Sequence, residues 1–361
     1  MDKELQSRLA PLREQIDATD RQILELLNKR ANLALQVGEV KQEVDADGPV
    51  LKPEREAALI RRLQETNPGP FTKAGIAAVW TEIISVCRGL ERPLVVAYLG
   101  PQGSFSEQAA VEQFGQSIEK LRCDSFDEVF RAVEAGQAQV GMVPVENSTE
   151  GGVNRSLDLL LTSPLKVQGE RSLNIHHCLM TQSGTMEGVT RIMAHPQALA
   201  QCQVWLSAHY PTIARDAASS NAEAARIASE DPTVAAIAGS MAAKAWGLQV
   251  AVSGIQDDPH NRTRFVVIGN MEPAPSGHDK TSLILAVPNR AGAVHDMLAP
   301  LAENGVSMSR LESRPARTGQ WEYYFYADII GHRDDEPVAR ALAALKDRAA
   351  FFKVLGSYPM Q

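Results

Sequence analysis

The stretch Leu94 to Ser106, L-V-V-A-Y-L-G-P-Q-G-S-F-S, marks the place where the chain changes its hydrophobic period. L-V-V-A-Y-L is a short unbroken apolar run, as a buried strand requires, and G-P-Q-G-S-F-S turns from it into a helical pattern. Downstream, strand-like runs recur at 139–145, 173–181, 189–194, 234–238 and 264–269, with helical patterns between them. That alternation predicts an α/β segment. It ends in a Pro/Gly/Ser-bearing linker, Asn270 to Lys280.

Upstream, residues 2–44 read as one long helix. Alternating steps of four and three from Leu5 reach Leu9, Leu12, Ile16, Thr19, Ile23, Leu26, Arg30, Leu33, Val37, Val40 and Val44. Ten of these twelve positions are apolar, which is a coiled-coil-like seam. D-A-D-G-P (Asp45 to Pro49) stops the helix, Pro53 suits the first turn of a second, and a third covers about 71–90. Three helices cannot hide so long a seam alone, so an intertwined dimer is expected. Beyond the linker, the order strand 281–287, helix 293–304, strand 306–314, strand 321–330, helix 335–348, strand 351–358 is the ferredoxin-like βαββαβ topology, with a kink expected at Pro300. The chain thus divides into 1–92, 93–270 and 271–361.

Hydrophobic residues at 44% and charged residues at 22% suit a soluble globular protein. A net charge of −8 argues against a nucleic-acid surface but leaves room for an anion in a local basic pocket. The charged start, Met1 to Leu12, is not a secretory leader, and no run is long and apolar enough to span a membrane. Cys87, Cys123, Cys178 and Cys202 lack paired spacing, which points to reduced thiols in the cytoplasm.

Within the long helix, Arg30 interrupts the seam. Lys41 lies about 20° around the helix from it and about 16 Å along, so the two can converge on one ligand. Arg13 lies about 25 Å from Arg30 on the same axis and can join that ligand only from a partner subunit. L-R-E-Q-I-D-A-T-D-R-Q-I-L-E-L-L-N-K-R-A-N-L-A-L-Q-V-G-E-V-K (12–41), P-E-R-E (53–56) and W-T-E-I-I-S-V-C-R-G-L-E (80–91) resemble the all-helical chorismate mutase family over about residues 5–91. The resemblance implies that Arg13, Arg30, Lys41 and Arg55 bind chorismate, that Glu56 reaches a substrate hydroxyl, and that Lys41 and Glu91 are catalytic, Glu91 facing the ether oxygen. Lys52 and Cys87 fall at substrate-contact positions where a better-known member has Asp and Ser. The residue types suit the chemistry: a pericyclic rearrangement of a dianion needs charge-matched clamps and donors to the ether oxygen, not a nucleophile.

In the α/β segment, Y-L-G-P-Q-G-S-F-S (98–106) places Ser104 and Ser106 as helix caps at a strand end. G-M-V-P-V-E-N-S-T-E-G-G-V (141–153) runs an apolar strand into polar residues. D-D-P-H-N-R-T-R-F (257–265) precedes the last strand. With H-P-Q-A-L-A-Q-C (195–202), these resemble prephenate dehydratase over about residues 95–270. That family's fold is two α/β lobes with the active site between them. The resemblance makes Thr263 catalytic and Ser104, Asn147, Ser148, Gln201, Asn261 and Arg264 prephenate-binding; Ala194 stands where a well-known member has Ser. Aromatisation drives the loss of CO2 and a ring hydroxyl, so no cofactor is called for, and Thr263 is assigned as proton donor to that hydroxyl. His176 and His177, read as neighbours on a strand, point to opposite faces and cannot share a metal, so none is expected.

Residues 280–360 resemble an ACT domain. V-P-N-R-A-G-A-V (287–294) puts Asn289, Gly292, Ala293 and Val294 on one wall of a phenylalanine site, and L-E-S-R-P (311–315) puts Leu311, Glu312, Ser313 and Arg314 on the other. The expectation is a multidomain chain: an all-α chorismate mutase domain, a two-lobed α/β dehydratase domain, and an α+β sensor. It turns chorismate to prephenate and prephenate to phenylpyruvate, answers to L-phenylalanine, and assembles as a homodimer or dimer of dimers. Two rivals are weighed. An amino-acid-responsive binding protein leaves Arg30 and T-R-F unexplained; a mutase fused to a dehydrogenase lacks the dinucleotide fingerprint.

Overall fold

The computed structural model describes residues 2–44, 48, 50–287, 290–315 and 323–360. Its first part is three helices, α1 (Asp2–Val44), α2 (Pro53–Thr66) and α3 (Lys73–Glu91). Pro53 occupies the first turn of α2, and the Thr72 hydroxyl caps α3 by accepting from the Gly75 amide at 3.0 Å. α1 has 43 residues and, at the helical rise, spans about 65 Å. Most of its seam remains exposed: Leu12, Ile16, Ile23, Leu26, Leu33, Val37 and Val40 all face solvent.

The α/β part follows as two lobes. The first holds β1 (Leu94–Leu99), α4 (Phe105–Phe114), β2 (Ile118–Cys123), α5 (Phe126–Glu134), β3 (Val140–Asn147), β4 (Gly151–Gly152), α6 (Asn154–Thr162) and β5 (Lys166–Asn174). The second holds β6 (Cys178–Thr181), β7 (Arg191–Ala194), α7 (Pro196–Gln201), α8 (Gln203–His209), β8 (Ala214–Ala217), α9 (Asn221–Glu230), β9 (Val234–Ala238), α10 (Ser240–Trp246) and β10 (Gln249–Ser253). The chain then returns to the first lobe as β11 (Arg262–Gly269). The sheet orders are β2-β1-β3-β11-β5, with β4 on β3, and β10-β6-β9-β7-β8.

Against expectation, the run 173–181 is not one strand: it breaks at Ile175–His177, where the chain crosses between lobes, so His176 and His177 lie in a crossover. The crossovers pair with each other, Ile175 N donating to Asn261 O and Ile255 N to His177 O. Two segments fixed side by side form the floor between the lobes.

The last part is β12 (Asp279–Ala286), α11 (Ala293–Glu303), β13 (Met308–Pro315), β14 (Tyr323–Ile330), α12 (Glu336–Arg348) and β15 (Phe351–Pro359), in sheet order β13-β14-β12-β15. α11 runs through Pro300 to Glu303. Strand alternation gives this sheet two apolar faces. Leu283, Leu285, Ala327 and Ile329 pack under α11 and α12, while Ile284, Tyr326, Leu355 and Tyr358 join the core of the first lobe with Val145, Leu157 and Val266. Leu51, just before α2, enters the other side of that lobe beside Val96, Phe114 and Val267. The first lobe is therefore gripped from both sides.

Candidate functional sites

In the helical part, α1 and α3 meet where Gly38 lies buried; a Cβ there would stand 2.8 Å from Cγ of Glu91. That close approach lets Lys41 Nζ reach Glu91 Oε1 at 2.8 Å. On the neighbouring helix, Glu56 pairs with Arg88 at 2.9 Å, and Arg88 also donates to the Phe114 carbonyl at 2.8 Å, tying the helices to the α/β part. Burial pushes the Glu56 carboxyl up from its usual range, with the charges of Arg88 and Arg30 only partly offsetting it. Arg30, Lys41, Glu56, Glu91 and the buried Cys87 thus belong to one end of the three-helix unit. Arg13, Lys52 and Arg55 are exposed, and Arg13 donates to Gln6 on its own helix. Arg88, buried and ion-paired, was not singled out from sequence; its place at the end of α3, four residues before a strand-opening linker, offered no pattern to find it by.

Between the lobes lies a second cluster. Its hydrogen-bond directions can be deduced from two backbone amides. Thr149 N and Glu150 N, which can only donate, both reach Asn147 Oδ1, at 3.0 and 3.3 Å. Asn147 Oδ1 therefore accepts, and the Thr149 hydroxyl at 2.6 Å from it must donate. Asn147 Nδ2 donates to Asn261 Oδ1 at 3.0 Å and to Thr263 Oγ1 at 2.9 Å. Asn261 Nδ2 then donates to Gln201 Oε1 at 3.1 Å, and Gln201 Nε2 to the Thr149 hydroxyl at 3.3 Å. Every direction is fixed. The outcome at the end of the chain is that Thr263 Oγ1 accepts from Asn147, and among the described residues no acceptor takes its own hydrogen.

The elements explain the convergence. Asn147 ends β3, Thr263 begins β11, and the two are register partners; Gln201 ends α7 of the other lobe. The lobes close on each other at Gly103, whose φ of 83° suits glycine and where a Cβ would stand 2.7 Å from Ala242 Cα. The structure brings Asn147, Gln201, Asn261 and Thr263 together, and adds Thr149 and His177, which were not foreseen as parts of the site. Ser148 lies alongside, its hydroxyl accepting from Arg262 N at 2.9 Å while Ser148 N donates to Arg262 O. Ser104 is the cap of α4: its hydroxyl donates to Leu99 O and accepts from Glu107 N.

Arg264 and Glu146, next in sequence to Thr263 and Asn147, lie on the opposite face of the same strands. There Arg264 pairs with Glu170 and Asp328 and donates to the Tyr358 hydroxyl. Burial opposes its charge, but Tyr358, Asp328 and Glu170 outweigh that and hold the guanidinium charged. Glu146 pairs at 2.7 Å with Arg310, which also pairs with Glu312. Arg314 reaches Asn154 O at 3.1 Å and Asp158 at 2.8 Å at the start of α6.

Of the residues expected around the amino-acid effector, Asn289 lies outside the described residues. Gly292, Ala293 and Val294 begin α11 after β12, whereas Leu311 to Arg314 lie on β13, two strands away in the sheet. Glu312 and Arg314 turn to the α/β part, and Leu311 and Ser313 are exposed. Among the described residues, no hydrogen bond or ion pair links the two walls within one chain.

Three family models match consecutive parts of the chain: chorismate mutase type II over residues 12–92, prephenate dehydratase over 96–273 and the ACT domain over 281–347. A bifunctional chorismate mutase/prephenate dehydratase of Neisseria gonorrhoeae is 48% identical over 99% of both chains. Among solved structures, the prephenate dehydratase of Arthrobacter aurescens in complex with L-Phe is 35% identical, with a TM-score of 0.68 over 74% of this chain and 90% of that one. GqqA, described as a quorum-quenching acylase, reaches the same TM-score at 30% identity over 74% of this chain and 98% of its own. With full-length identity to such an enzyme and all three parts matched in order, the chain belongs to the family of bifunctional chorismate mutase/prephenate dehydratases.

Proposed function

We propose that the two reactions of this enzyme run at two separate sites, chorismate rearranging among the helices and prephenate losing CO2 and water between the lobes, under control by L-phenylalanine at the C-terminal sheet. The observation that supports the second site is the directed network that leaves Thr263 with a free hydroxyl hydrogen. Prephenate gives up its ring carboxylate as CO2, the freed electron pair completes the aromatic ring, and the ring hydroxyl leaves as water with a proton from Thr263, which regains one from water, so that one proton is taken up per turnover. A threonine is a poor acid, but the Asn147 amide that donates to its oxygen stabilises charge developing there. Ser148, Gln201 and Asn261 shape the pocket around that hydroxyl. Arg264, committed to the seam with the C-terminal sheet, acts on prephenate only if that ion network opens.

For the rearrangement, Arg30, Lys41, Arg55 and the partner's copy of Arg13 clamp the two carboxylates. A second copy of the chain also accounts for the exposed seam of α1. Lys41 is held beside Glu91 by their ion pair. The ether oxygen needs a hydrogen-bond donor at this position. Glu91→Gln, a permanent donor of similar shape, should keep mutase turnover, whereas Glu91→Ala should lower it. Chorismate turnover of both variants checks this; an equal loss in the two would remove Glu91 from the ether oxygen.

For regulation, the Arthrobacter enzyme's complex with L-Phe supports the same effector here, in a site completed by two copies of the C-terminal part. Glu312 and Arg314 connect β13 to Arg310, Glu146 and α6, so Glu312→Ala or Arg314→Ala should weaken phenylalanine inhibition while sparing dehydratase turnover. Calorimetry with phenylalanine on both variants distinguishes lost binding from lost coupling; unchanged binding and unchanged inhibition would move the effector site elsewhere. Ultraviolet assays of both steps on the full chain, with and without phenylalanine, test the whole reading.

A further inference from the structure

The polar network does not end at Gln201. His177 Nε2 lies 2.9 Å from Gln201 Oε1, the oxygen that already accepts from Asn261. The direction of the chain, fixed by the amides of Thr149 and Glu150, makes that oxygen an acceptor, so Nε2 must carry a hydrogen. The other ring nitrogen, Nδ1, is buried and has no hydrogen-bond partner among the described residues. A second proton there would leave an orphaned buried N–H, which folded proteins avoid. His177 itself is 2% exposed, with the Phe105 ring edge-on at 5.8 Å, and burial pushes its imidazole below the usual range. Its backbone amide is held by Gln256 Oε1 at 3.0 Å and its carbonyl by Ile255 N. Backbone, ring plane and tautomer are all determined.

We infer that His177, as the neutral Nε2–H tautomer, is a positioning residue of the dehydratase: it locks the Gln201 amide in the orientation that accepts from Asn261 and donates to Thr149, the two side chains that seat the Asn147 amide beside Thr263. The effect of His177 runs backwards along the same bonds. An unheld Gln201 amide can rotate by half a turn, which presents its oxygen to Thr149 and its nitrogen to Asn261. Thr149 then has a second acceptor to donate to, and Asn261 loses its own. The Thr149 and Glu150 amides keep Asn147 Oδ1 an acceptor, so both changes displace the Asn147 amide without reversing it, and its Nδ2 is the group that points Thr263. A misplacement at that end of about 1 Å is enough to cost about a hundredfold in turnover. His177 touches neither substrate nor the reacting atoms in this scheme; it acts through Gln201. This role rests on the reading of Thr263 as the proton donor.

The test compares three variants of the full chain: His177→Met, which fills the space without a donor; His177→Gln, whose amide nitrogen can replace Nε2–H; and Thr263→Ala. Prephenate turnover, its KM and chorismate turnover are measured for each. The expected result is a dehydratase kcat lowered about tenfold to a hundredfold in His177→Met with KM little changed, most of the loss recovered in His177→Gln, and mutase turnover unaffected in both. Nitrogen-15 NMR of the wild-type imidazole should show Nε2 protonated and Nδ1 bare. Full kcat in His177→Met, or Gln and Met variants equally impaired while folded, overturns the inference, the second outcome reducing His177 to packing. If Thr263→Ala collapses and His177→Met does not, only this inference fails; if Thr263→Ala retains turnover, the reading of the site fails with it.

Discussion

Thr263→Ala should lower dehydratase kcat by about 10²- to 10⁴-fold, the range removed when a positioned proton donor is lost. KM for prephenate should change little, because the hydroxyl's contribution grows as the C–O bond breaks, and an interaction made only in the transition state is lost from kcat and kcat/KM equally. The fold should tolerate the change. Thr263 is only partly buried at the start of β11, and removing its oxygen leaves Asn147 Nδ2 still donating to Asn261. Mutase turnover should be unaltered, since no hydrogen bond or ion pair described for Thr263 reaches the helices. Parallel assays on chorismate and on prephenate check both statements. A rise in KM with kcat intact would make Thr263 a binding residue and remove it from the proton's path.

The second large effect concerns the helices. Arg30→Ala should lower mutase turnover by about 10²-fold or more, as expected when a charge-assisted clamp that orients a substrate carboxylate is deleted. Arg13→Ala should be similarly disabling although Arg13 is exposed and far from Arg30 along α1. The two inactive proteins, mixed and allowed to exchange subunits, should recover part of the activity. A heterodimer would hold one site bearing both lesions and one bearing neither. Absence of recovery after exchange has been demonstrated would count against a site shared between chains.

Much of this architecture is legible in the sequence because its periods are clean: the seam of α1, the β/α alternation after Leu94, and the βαββαβ order at the end. What the sequence hides is of two kinds. Short polar edge strands, β2 (I-E-K-L-R-C) and β10 (Q-V-A-V-S), carry too little apolar alternation to announce themselves, and they form because a neighbouring strand offers its free edge. Long-range partners are the other kind. Asn147, Gln201, Asn261 and Thr263 are named by the motifs that contain them, but His177 is tied to Gln201 only because two crossovers run side by side, a contact no local pattern encodes. Arg264 shows the opposite case. Its motif marks it as a ligand residue, yet strand alternation turns its guanidinium away from Thr263 and into the seam with Asp328. His176 and His177 read as strand neighbours for a different reason: the local run has the pattern of one strand, and the lobe boundary inside it depends on the whole sheet.

The central claim is that one chain carries two independent sites, and a nuclear magnetic resonance time course on chorismate tests it most directly. Given the Thr263→Ala protein alone, chorismate should convert to prephenate and stop there. Addition of the Arg30→Ala protein, which by itself should leave chorismate untouched, should then carry the accumulated prephenate to phenylpyruvate. Phenylpyruvate appearing at the wild-type rate with Thr263→Ala alone, or no phenylpyruvate after Arg30→Ala is added, would contradict the account.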